Sequence, residues 1–264
     1  SGAATGPIDG RPCKDPTFGI DAFWVPRSAQ NEAIAAGYTV VDPATVVATH
    51  LNHCITRAAE DLFGIDDTQA LVDHLKVAYP QLTQALTPQA YALPRIAALC
   101  RALLAERVPL RDFRQIAEAM VAVAGQPLSD TDLVEAVRQR IGGLIVQSIV
   151  PSRLPLPVVT LHPELELLLI QGVRANPGAE TPFEPELARR IVDEIGRGVA
   201  PLMVSTGSFA VVVSPLCRAA LARLVRTAFH EVAVLSYLEL PPAKTTEIVA
   251  TIGTADRRLL TETA

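Results

Sequence analysis

Few side chains in this chain have the types and spacing to do chemistry. His50, His53 and Cys54 stand together in the run HLNHC. On a helix the two histidines, three apart, share a side. Zinc needs three or four placed ligands, however, and no Asp or Glu occupies a third-ligand position, while Cys54 falls on an apolar stripe. The pair reads as helix-border histidines. Ser205, Ser208 and Ser214 are the candidate nucleophiles, with His162 and His230 as candidate bases. None of the serines lies in GxSxG, and Ser214, directly before Pro215, has the position of a helix N-cap. An α/β hydrolase using Ser214 or Ser208 is the enzymatic alternative. There is no GxxxxGK[ST] and no GxGxxG, and the turn after FAVVV is Ser-Pro-Leu, without the glycines that let backbone N–H groups close on a phosphate. Asp66, Asp67, Asp130 and Asp132 sit at helix starts, where the macrodipole favours carboxylates. These residues support neither catalysis nor a cofactor nor a metal.

One cluster suggests binding instead of reaction. CKDPTFGIDAFWV carries Phe18, Phe23 and Trp24 in a turn-rich stretch, although the whole chain has seven Phe, four Tyr and one Trp. Such rings either anchor a small core or face a partner, since aromatics dominate interface energetics.

The elements that would carry these groups follow from composition and periodicity. The 264 residues are 49% hydrophobic and 19% charged, with a net charge of −5 and mixed signs along the chain. That balance argues against a nucleic-acid partner, which requires a concentrated basic surface. Mean hydropathy is +0.28. The longest apolar runs, such as LELLLI and FAVVV, fall well short of the about 20 residues of a membrane span, and SGAATGPIDG lacks the basic start and apolar stretch of a signal peptide. Cys13, Cys54, Cys100 and Cys217 are isolated and read as buried free thiols.

Proline marks helix starts, because its fixed φ and missing N–H cost nothing in a first turn. Thr87-Pro88, His162-Pro163, Glu184-Pro185 and Ser214-Pro215 each precede a helical period. Residues 1–44 contain strand candidates at 21–25 and 37–41 and a short helix at 27–36. A helix over 44–63 places Val47, Leu51, Cys54, Ile55, Ala58 and Leu62 on one face, and Gly64 stops it. Residues 66–150 read as helical throughout, with Gly142-Gly143 marking a bend or a close approach in the last helix. From Pro151 strands and helices alternate: LPVVTL, a helix from 163, a helix over 185–197, FAVVV, a helix after Ser214, VAVLSY and TTEIVATI. Residues 199–208 read as a linker or an extra hairpin strand, and the tail TADRRLLTETA as frayed. The fold class is thus α/β (α+β) and multi-subdomain, with a central all-helical subdomain and a C-terminal α/β subdomain of mostly strand–helix–strand units.

In order along the chain, DPTFGIDAFWV, GYTVVDPATVVATHL, VPLRDFRQIAEAM, PLPVVTLHPELE, VAVLSYLELP and IVATIG resemble the cytoplasmic domain of the type III export gate family, found in flagella and in virulence injectisomes. VVATHL and IVATIG lean to the flagellar branch, whereas GVRANPGAETPFEP is more like the injectisome pattern. The resemblance implies a non-enzymatic transport role without cofactors. It implies a homo-oligomeric, nine-membered ring at the cytoplasmic face of the bacterial inner membrane, with export chaperone–substrate complexes, the export ATPase complex and an autocleaving switch protein as partners. By the family's boundaries, residues 1–64 hold parts of the first two subdomains, 65–150 the third, ring-building one, and 151–264 the fourth. The opening part of the first subdomain is missing from the resemblance, and with it the strands expected to pair near 39–41. The family's chaperone pocket maps onto Asp15, Phe18 and Thr49, with Phe18 as apolar anchor and Phe23 and Trp24 beside it.

Overall fold

The computed structural model describes residues 8–17, 19–179, 181–205 and 207–253. They form two compact units, Ser1–Leu62 and Phe63–Ala264.

The first unit opens with an antiparallel hairpin, β1 (Arg11–Lys14) against β2 (Asp21–Trp24), in which Arg11 faces Trp24 and Lys14 faces Asp21. Pro12 cannot donate to a ladder, which suits β1 only as an edge. A 3-10 turn at Arg27–Ala29 leads into α1 (Gln30–Ala35). Residues 37–41, expected as a second strand, carry none. Helix α2 (Pro43–Arg57) starts where Asp42 Oδ1 accepts the Thr45 N–H at 2.9 Å. It ends six residues earlier than expected, at Arg57, and α3 (Ala59–Leu62) follows as a separate turn. Gly64 stops nothing; it precedes the next helix and donates its N–H to Asp67 Oδ2 at 2.8 Å.

The second unit begins with six helices: α4 (Ile65–Ala78), α5 (Pro80–Gln84), α6 (Leu93–Ala105), α7 (Phe113–Ala122), α8 (Asp130–Arg140) and α9 (Gly142–Ile149). Their apolar stripes meet in one core that includes Val72, Leu75, Ile96, Leu103, Ile116 and Val137. Thr87 is not a helix cap. The Thr87–Pro88 bond is cis and lies in an irregular turn, and α6 starts only after Ala92. Ile141, with φ −95° and ψ 15°, breaks the last expected helix into α8 and α9.

Four parallel strands complete this unit: β3 (Leu156–Leu161), β4 (Ala210–Val213), β5 (Ala233–Ser236) and β6 (Thr246–Ile252), in the order β5-β4-β3-β6. Helices α10 (Pro163–Ala175), α11 (Pro185–Ser205) and α12 (Pro215–Arg226) connect them. Alternate strand residues point to two different cores, as a period of two requires. Leu156, Val158, Ala210 and Leu235 join the core of the helical bundle, whereas Val159, Leu161, Val211 and Val213 pack with α10, α11 and α12. Because both faces are covered, the strands read as nearly continuous apolar runs. The 199–208 segment, expected as a linker or strand, is helical as far as Ser205, with Pro201 inside. Ser214 and His162 do cap helices, accepting the N–H groups of Leu216 at 3.3 Å and Glu164 at 3.4 Å. The tail after Gly253 lies outside the described residues.

Candidate functional site

The aromatic hairpin is the candidate binding surface, and its turn is built by Asp15. The Asp15 N–H donates to the Ile20 carbonyl and its own carbonyl accepts the Gly19 N–H, both at 2.9 Å. Asp15 Oδ1 accepts the Thr17 N–H at 2.8 Å. Gly19 takes φ +67°, a conformation that glycine reaches without cost. Phe18, inside this turn, lies outside the described residues. Phe23 and Trp24 are consecutive on β2 and therefore point to opposite faces of the two-stranded ribbon. Phe23 is 41% exposed, and its ring meets that of Tyr38 edge-on at 6.2 Å and 84°. Trp24 is 50% exposed. These two rings are thus open to a partner and do not form the centre of a small core.

Thr49 is exposed on α2, two residues from Val47 and two from Leu51, on the side of the helix away from their stripe. That stripe is in solvent. No residue of α2 is buried, and Val47, Leu51 and Ile55 are 66%, 57% and 49% exposed. The periodicity located the apolar face correctly, but the described residues leave it uncovered.

The groups considered for chemistry separate. Cys54 Sγ lies 3.6 Å from His50 Nε2, but no group of three His, Cys, Asp or Glu side chains among the described residues gathers to hold a metal. Cys100 and Cys217 are buried, and burial pushes both thiols up to about 12. Cys54 is exposed and Cys13 partly so, contrary to the expectation of four buried thiols. Ser214 is buried and its hydroxyl is engaged in capping, while its N–H donates to Glu166 Oε1 at 2.6 Å. Ser208 precedes β4, at the opposite strand end from a nucleophile elbow. Among the described residues, neither Ser208 nor Ser214 is hydrogen-bonded to His162.

Residue spacing gave no sign of a buried ionic network in the second unit. Arg218 donates to both oxygens of Glu106, at 2.5 and 3.1 Å, and to Glu135. Arg138 donates to Glu239 Oε2 at 2.8 Å and pairs with Glu106 at 3.3 Å. Both guanidiniums also reach the Val234 carbonyl on the edge strand β5. Burial alone would raise Glu106, but the charges of Arg138 and Arg218 reverse this and hold its carboxyl below the usual range. For Glu135 burial prevails over Arg218 and the carboxyl is raised. Charge pairs between Glu106 and Arg218, or Arg138 and Glu239, link residues about a hundred positions apart, beyond any local motif.

Residues 1–245 match the FHIPEP family. The chain belongs to that family. Among FHIPEP relatives, the flagellar biosynthesis protein FlhA of Yersinia enterocolitica is 34% identical over 254 residues, which cover 96% of this chain and 36% of that protein. The chain thus spans about a third of the length of such relatives. Its fold is that of two solved structures. Chlamydia pneumoniae CdsV superposes with a TM-score of 0.77 at 21% identity, covering 89% of this chain and 68% of that one. The nonameric SctV-C of EPEC does so at 0.71 and 20%, covering 95% and 76%. No helix among the described residues is long and apolar enough to cross a membrane.

Proposed function

We propose that this FHIPEP chain is part of the cytoplasmic domain of a type III export gate, and that it docks export chaperone–substrate complexes through the β1–β2 hairpin and passes them toward a membrane channel. The observation that carries the docking surface is the open exposure of Phe23 and Trp24 on a ribbon whose turn Asp15 fixes. Phe18 is the apolar anchor in this reading, with Asp15 and Thr49 as polar partners of the docked chaperone. The 34% identity to FlhA over nearly the whole chain favours the flagellar branch, while the virulence-system structures share the fold. A nonameric solved relative supports ring assembly, with residues 65–150 as the ring-building part and 151–264 as the last subdomain. The export ATPase complex and the switch protein are the further partners of such a gate at the inner membrane. The reading is tested by sedimenting the chain with a flagellar export chaperone, loaded or empty. Co-sedimentation with the loaded form alone is expected; no association with either would refute docking.

A further inference from the structure

A cleft of about 370 Å³ lies inside the second unit, between the bundle and the sheet. It is separate from the hairpin and from the function proposed for it. Arg107, Arg138 and Arg226 line it, together with Glu106 and Glu231. Two observations, on Arg138 and Arg226, mark it as more than a packing gap. Arg138 is 1% exposed, yet its Nε has no hydrogen-bond acceptor and its Nη1 only the Glu106 ion pair; a buried donor without a partner is costly unless something supplies one. Arg107 takes φ 58° as the residue that stops α6, its N–H donating to the Leu104 carbonyl at 2.8 Å and the Val108 N–H to that of Leu103 at 2.9 Å, which places its side chain at the cleft rim. Arg226 is half-buried and makes no hydrogen bond or ion pair with a described residue, acting on Glu106 only from a distance.

The charges select the ligand. Every glutamate nearby is already engaged: Glu231 by Arg107, Glu239 by Arg138, Glu135 by Arg218, and Glu106 by Arg138 and Arg218. Arg226 remains for one further negative charge. The carboxylates around it oppose a dianion such as phosphate and tolerate a single carboxylate. Apolar walls from Ile149, Met203, Phe209 and Val232 accept hydrocarbon beside it. Shape and volume suit a few side chains.

We propose that this cleft binds an acidic, partly apolar segment of a partner protein, one carboxylate of which pairs with Arg226. The probe is Glu-Leu-Glu-Phe-Glu-amide carrying fluorescein on its N-terminal amine, titrated by anisotropy against the intact chain, with the Gln-for-Glu peptide and inorganic phosphate as comparators. Binding of the Glu peptide is expected, with the Gln peptide and the Arg226→Gln variant each weaker by about tenfold, as loss of a charged hydrogen bond implies. Equal affinity of the two peptides, unchanged affinity in Arg226→Gln, or displacement by phosphate at peptide concentrations would overturn the proposal. If Arg226→Gln does not fold, the comparison of the Glu and Gln peptides on the wild type carries the same test, and equal affinity there overturns it.

Discussion

Gly142 lies directly against the carbonyl of Glu239: a β-carbon at position 142 would stand 2.0 Å from that oxygen and 2.7 Å from its carbon. The same glutamate accepts the Ser236 N–H at 3.1 Å and pairs with Arg138. The contact therefore seats α9 on the connection from β5 to β6 while the side chain enters the ionic network. Gly142→Ala has backbone in its way and is expected to destabilise the chain by about 1–3 kcal/mol. Gly143→Ala meets nothing closer than Pro241 Cγ at 3.9 Å and is expected to be neutral or stabilising by up to about 1 kcal/mol. Urea midpoints of the two variants check the contrast.

Glu106 and Glu135 titrate in opposite directions, and stability should show it. The folded pKa of Glu106 lies below its ordinary 4.5. Its contribution is present above that value and lost as pH falls through the folded value. Glu135, raised in the folded state, favours the fold at low pH and loses that contribution as pH rises through its folded value. At pH 7, Glu106→Gln leaves two buried arginines short of a partner and is expected to cost about 3–5 kcal/mol. Glu135→Gln should cost clearly less. Urea unfolding of both variants and the wild type between about pH 3.5 and 7 separates them: the acid loss belonging to Glu106 disappears only in Glu106→Gln.

The α2 face gives a third expectation. Leu51→Ser should change the stability of this chain by no more than about 0.5 kcal/mol, because Leu51 is largely in solvent. Ile116→Ala, at a fully buried site, should cost about 2–5 kcal/mol. Thermal melting of the two variants decides whether the stripe is uncovered in solution.

These outcomes reflect what local pattern can carry. Ser214 and His162 announced their helices because capping is a contact between near neighbours in sequence. The parallel strands were legible as apolar runs because two cores bury them. Thr87-Pro88 looked like the same signal and was not, since a Thr-Pro step also suits an irregular turn. Residues 199–208 read as a linker or a strand, but the helix continues to Ser205; just before them Gly198 is small because Ile252 packs against it, at 2.6 Å from where its β-carbon would lie. The stripe of α2 shows that a helix has an apolar side and says nothing of what covers it. At the candidate site, the aromatics stood out by composition, but their exposure depends on tertiary contacts. The ionic network joins four separate elements, α6, α8, α12 and the turn after β5, and no spacing rule reaches across them.

The hairpin is proposed to dock loaded export chaperones. The most direct test is calorimetric titration of a loaded flagellar chaperone into the wild type and into the Phe23→Ala, Trp24→Ala double variant. Both rings are exposed, so the double variant should keep its thermal midpoint. A loss of affinity of at least about thirtyfold, of the order of a 2 kcal/mol interface hot spot, is the expected result. Equal affinity for the two proteins would contradict the claim.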